Sequence, residues 1–186
     1  MSWQPPSSPY LLNQVALSNA VRRLWVDNNQ WLRALVYSIL FNIGDRAAIE
    51  ARLGQTAQGF GDLFGEFYGP EAAEKIRANY LEYVGALEVM IEAYRDNNVA
   101  VISEQRDVLY RISDELAQFY AQINRYLDRS TLQIMLYELV NETENGIAHI
   151  TTGDFTQEIQ AYDQWMEQGY RVSDELTTGI LRQFRI

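Results

Sequence analysis

Cysteine is missing from the chain altogether, and histidine occurs once, at His149. Disulfides, thiolate nucleophiles and thiolate metal sites are thereby excluded together. A single histidine leaves no complete Ser-His-Asp arrangement, and no Glu-x-x-His motif occurs anywhere, although ferritin-like di-metal bundles need that motif in pairs. Basic residues are scarce as well. Against 25 acidic side chains stand 15 lysines and arginines, giving a formal charge of -10, so a nucleic-acid backbone or an anionic membrane surface is repelled on average. Neither is an expected partner. Long apolar runs are also lacking, since stretches such as "ALVYSILF" fall far short of the roughly 20 residues that span a bilayer. The opening "MSWQPPSSPY" has neither a basic n-region nor an apolar h-region, so residues 1–10 read as a flexible arm rather than a signal peptide, and a cytoplasmic location is expected.

What is present is helical patterning. The chain has 186 residues, 47% of them hydrophobic, enough for one sizeable core, and residues 11–186 are expected to form a single domain. The apolar residues recur at steps of three and four almost throughout, and the interruptions carry helix-stop and helix-start chemistry. The predicted fold is all-α: an up-and-down bundle of about six helices with a four-helix-bundle-like core. Breaks are expected near Gly44, Gly69, Asn97, Asp128 and Gly153. A first helix from about Leu11 to Asn42 precedes an Asp45 cap and a second helix over 46–67. Pro70 opens the third, because a first helical turn has no amide bond for proline to lose. Asn98 caps a fourth that ends near Leu127, with Leu109, Ile112, Leu116, Phe119, Ile123 and Tyr126 on its core side. Ser130 and Gln133 form a capping box for the fifth. The sixth, over 155–183, is expected to turn Ile159, Tyr162, Met166, Gly169, Leu176 and Ile180 inward.

One polar residue sits on a stripe that should be buried. Val21, Leu24, Asn28, Trp31 and Leu35 step by three and four, which puts the Asn28 amide inside. A buried amide without partners costs about 1–3 kcal/mol, so polar groups from other helices are expected to face it, with Tyr83 and Glu138 first among them. The fifth helix also carries Glu138, Glu142, Asn145 and His149 on one face.

Several motifs, "LWVDNNQW" with its W-x-D-x-x-x-W pattern, the "ARL...FYG" passage from Ala51 to Gly69, "AYD" at 161–163 and "GILRQF" at 179–184, resemble a group of small uncharacterised bacterial helical proteins common in Firmicutes. The similarity runs over most of the chain after the arm. Histidine stands in such relatives at the positions of Asn28, Tyr83 and Glu138, with others near Met166 and Gln168. The resemblance therefore implies a shared fold and an interior pocket at Asn28, Tyr83, Glu138, Glu142 and Met166, from which the best metal ligands have been lost.

The remaining candidates have plain structural readings. Glu88 with Glu92, and Glu138 with Glu142, have metal-compatible spacing, but such pairs on helices are usually solvated. His149 suits a helix C-terminus. "GFGDLFGEFYG" has no preceding strand and no Gly-Lys-Ser/Thr, so Gly61, Gly65 and Gly69 read as a close helix crossing rather than a phosphate loop. No cofactor and no metal is expected. Two functions remain: a non-enzymatic bundle that binds a protein, a second copy of itself or a small ligand, and a ferritin-like metal- or ligand-binding protein with a degenerate interior site.

Overall fold

The computed structural model describes residues 9–186, which form six helices: α1 (Pro9–Phe41), α2 (Arg46–Tyr68), α3 (Pro70–Arg95), α4 (Val99–Ile123), α5 (Arg129–Thr152) and α6 (Phe155–Phe184). Among these residues there is no strand. Of the expected arm, residues 1–8 lie outside the described residues, while Pro9 and Tyr10 belong to α1. No helix among the described residues is long and apolar enough to cross a membrane.

The breaks follow local chemistry. Gly44, Gly69 and Gly153 hold φ of 94°, 87° and 76°, a region closed to most side chains, and Asn97 adopts 58° at the α3–α4 turn. Asn98 caps α4 by accepting from the Val101 amide. Two expected caps differ. Asp45 makes no side-chain cap, and its backbone carbonyl instead accepts from Ala48 and Ile49. For α5 the cap is Asp128 rather than Ser130, because its carboxylate accepts from both the amide (2.8 Å) and the hydroxyl (2.9 Å) of Thr131, while Gln133 is drawn across to Asp114 on α4.

Helix α4 also stops earlier than its apolar stripe suggests. Asn124 is fully buried in extended backbone, donates to the Tyr68 hydroxyl at 2.7 Å and accepts from the Tyr126 amide at 2.9 Å. These side-chain bonds replace further helical turns. Tyr126 is consequently exposed, and Leu127 takes the buried position.

Each helix packs against its neighbours in sequence, α6 closes the circuit against α1, and α1, α3 and α5 also meet one another inside. Helices α1 and α6 run antiparallel, as the pairs Gln14 with Ile186, Arg22 with Asp174 and Arg33 with Glu158 require. The glycine crossing lies between α2 and α3: a Cβ on Gly61 would stand 3.1 Å from the Ala73 carbonyl oxygen, and one on Gly65 would stand 3.0 Å from the Ala73 Cβ. Gly69 instead forms the turn.

The inward face of α6 differs from the expected stripe. In its first half Ile159 is 54% exposed, whereas Glu158, Ala161, Trp165 and Gln168 are buried; further on, the expected Gly169, Leu176 and Ile180 do lie inside. Arg33 forms a bidentate pair with the inward Glu158, both bonds 2.7 Å long, and its guanidinium lies against the rings of Tyr37 and Tyr162. A carboxylate paired in this way can be buried where a lone one cannot.

Candidate functional site

A cavity of about 80 Å³ lies where all six helices converge. Helix α1 contributes Trp25, Asn28 and Leu32; α2 contributes Phe60; α3 contributes Ile76, Asn79, Tyr80 and Tyr83. Ile112, Ser113, Leu116 and Tyr120 come from α4, Leu136 and Leu139 from α5, and Trp165 from α6. The three residues from α1 and the four from α3 follow the spacing that puts residues on one helical face. The wall is therefore mainly aliphatic and aromatic, with Phe60 touching Trp25 edge-on at 5.6 Å and Tyr80 at 5.7 Å.

Its polar atoms are few and unusual. Among the described residues six buried side-chain polar atoms lack a hydrogen-bond partner, and four of them belong to this wall: Trp25 Nε1, Asn28 Oδ1, Asn79 Nδ2 and Tyr80 Oη. Stranded polar groups are rare in folded proteins and each is costly, so four of them on the residues around one space mark it out from the rest of the core.

The orientation of Asn28 is fixed by its neighbour. Asn29, fully buried, donates through Nδ2 to the Trp165 backbone carbonyl at 3.3 Å and lies 3.6 Å from the Met166 sulfur. Its Oδ1 is then free to accept from Asn28 Nδ2 at 2.9 Å. Asn28 Oδ1 is left without a partner. Gly169 makes room for this relay, since a Cβ there would stand 2.9 Å from Asn29 Nδ2.

No carboxylate, ammonium or guanidinium lines the cavity. Burial pushes the Tyr83 phenol up to about 12, opposed by a hydrogen bond with Thr143, and burial raises the phenols of Tyr80 and Tyr120 further. All three phenols are neutral at physiological pH. A charged pair, Arg33 with Glu158, lines a second cavity of about 20 Å³ together with Glu142, and Trp165 lines both spaces.

The residues singled out by the sequence thus separate. Asn28 and Tyr83 share the main cavity, but Asn28 bonds to Asn29 rather than to Tyr83 or Glu138. Glu138 is exposed, because α5 turns Leu136 and Leu139 inward and its next face outward. Glu142 lies on the second cavity, and Met166 touches Asn29 from outside the wall. Among the described residues, no three His, Cys, Asp or Glu side chains converge in a way that could hold a metal ion.

Sequence reasoning missed Asn79, Asn29 and Glu158 as interior polar residues. Asn79 lies three residues after Ile76 on the same face, a signal the spacing does carry. For Glu158 there is none, since its burial depends on Arg33 from a distant helix. Fold and site together define an all-helical bundle enclosing an uncharged cavity studded with a few polar atoms. The chain matches no protein-family model, no curated protein and no solved structure.

Proposed function

We propose that this protein is a non-enzymatic bundle that binds a small uncharged molecule in the cavity shared by its six helices. The observation that carries this reading is a mainly apolar space lined from all six helices, with Trp25, Asn28, Asn79 and Tyr80, each carrying a buried polar atom that lacks a hydrogen-bond partner, among its lining residues. Ligand sites are typically apolar spaces with a few placed polar groups that fix orientation. The reading also takes the chain to be a soluble, cytoplasmic protein that does not bind nucleic acid, in keeping with its charge of -10. The competing metal-binding reading has no comparable support: the buried carboxylate of Glu158 is already taken by both guanidinium nitrogens of Arg33.

The test is a titration with small neutral molecules, following the indole N–H signals of Trp25 and Trp165 by nuclear magnetic resonance. Saturable shifts at Trp25 are expected, and they should vanish in Ser113→Leu, whose added bulk enters the cavity. If no neutral molecule shifts Trp25 while slowly exchanging water is detected beside it, the cavity is a structural water site and the reading fails.

A further inference from the structure

The cavity selects its occupant by more than absence of charge. Resting on the ligand-binding reading, we infer that the occupant is a small apolar molecule, a hydrocarbon or halocarbon of a few non-hydrogen atoms, rather than a polar neutral compound.

The polar groups of the wall have little to offer the space they surround. The Ser113 hydroxyl donates to the Leu109 carbonyl of its own helix at 2.9 Å, Asn28 Nδ2 donates to Asn29 at 2.9 Å, and Tyr83 hydrogen-bonds with Thr143. The unpartnered Trp25 Nε1, Asn28 Oδ1, Asn79 Nδ2 and Tyr80 Oη are covered by their neighbours, so that a molecule even as small as water touches almost none of their surface. They cost the fold hydrogen bonds without extending any to a guest. What a guest meets is carbon: aromatic rings from α1, α2, α3, α4 and α6, and leucine and isoleucine side chains from α1, α3, α4 and α5.

That surface ranks the neutral molecules. Water in a protein interior needs about two to four polar partners, and apolar spaces that supply none stay dry. An alcohol, ketone or amide entering this space gives up its hydrogen bonds to water and regains none, which is unfavourable however well it fits. An apolar molecule surrenders no such bonds. It gains by leaving water and by dispersion contact with the rings and branched chains around it. Size sets the upper limit: an apolar cavity of roughly 150 Å³ accommodates benzene, so a space of about 80 Å³ admits roughly three to five non-hydrogen atoms.

The deciding experiment titrates the full chain with 2-methylpropene and dichloromethane on one side and acetone, propan-2-ol and acetamide on the other, all of similar size, and reads the indole shifts of Trp25 and Trp165. The two apolar compounds should bind about tenfold or more tightly than the three polar ones, as expected when a hydrogen-bonding group is buried without a partner. Ser113→Leu should abolish the shifts caused by 2-methylpropene. In Leu116→Asn, which sets an amide at a half-buried position of the wall, the preference for 2-methylpropene over acetone should shrink; the wild-type series decides by itself if that variant fails to fold. Acetone, propan-2-ol or acetamide binding as tightly as 2-methylpropene would overturn the apolar assignment while leaving a ligand-binding cavity intact. Failure of every compound to bind, or shifts that persist in Ser113→Leu, would overturn both readings.

Discussion

Asn28 and Asn29 are consecutive buried amides that do different work. Asn29 makes the only bridge of the pair to α6 and fixes the orientation of its neighbour, whereas Asn28 spends half of its amide on Asn29 and leaves the other half unpartnered. Replacing Asn29 with alanine removes the bridge and strands Asn28 Nδ2, so Asn29→Ala should lose about 1–3 kcal/mol of stability. Asn28→Leu removes one stranded oxygen while stranding another, and these effects largely offset. Guanidinium unfolding should therefore rank Asn29→Ala as clearly the less stable protein. The opposite order would show that the relay does not hold the α1–α6 interface. Spacing alone placed Asn28 inside, yet its partner was hidden. Helix α1 packs against α2 and α6 on its flanks and α3 within, so its buried arc is wide enough for consecutive residues to face inward, and a stripe drawn at steps of three and four passes over Asn29.

Helix ends were more legible than helix faces. Every break fell near the residue whose local chemistry demanded it, because a positive φ at Gly44, Gly69 or Gly153 is required whatever the rest of the chain does. The inward Glu158 of α6 is instead paired with Arg33, more than a hundred residues earlier, and no local pattern encodes such a partner. The caps fall between these extremes, since Asp128 and Ser130 both offer side-chain oxygens and only packing selects one. Asp128 supplies a test at this scale. The Thr131 amide, and then its hydroxyl, hold the Asp128 carboxyl below its ordinary pKa, so its stabilising contribution is complete above the unfolded-state pKa and is lost as pH falls through the lower folded-state one. Asp128→Ala should lower the melting temperature at neutral pH, and the gap to wild type should close on acidification below about pH 4. A gap that persists there would mean that the charge is not what caps α5.

At the scale of the whole molecule, no subset of helices builds the cavity. Its walls come from all six, so the space takes its shape only when the circuit from α1 to α6 is closed. That geometry has a volumetric consequence. A void of about 80 Å³ per molecule is roughly 50 mL per mole, within the range of volume decreases that accompany protein unfolding. Compression therefore favours the unfolded chain, and a molecule seated among Trp25, Asn28 and Asn79 removes part of that advantage. Ser113→Leu, whose added bulk fills part of this space, should raise the pressure at which the protein unfolds, followed by tryptophan fluorescence under hydrostatic pressure; an unchanged midpoint would show that the space does not contribute. The space left among six helices thus favours the unfolded chain under compression, and its filling can be weighed in bars as well as in degrees.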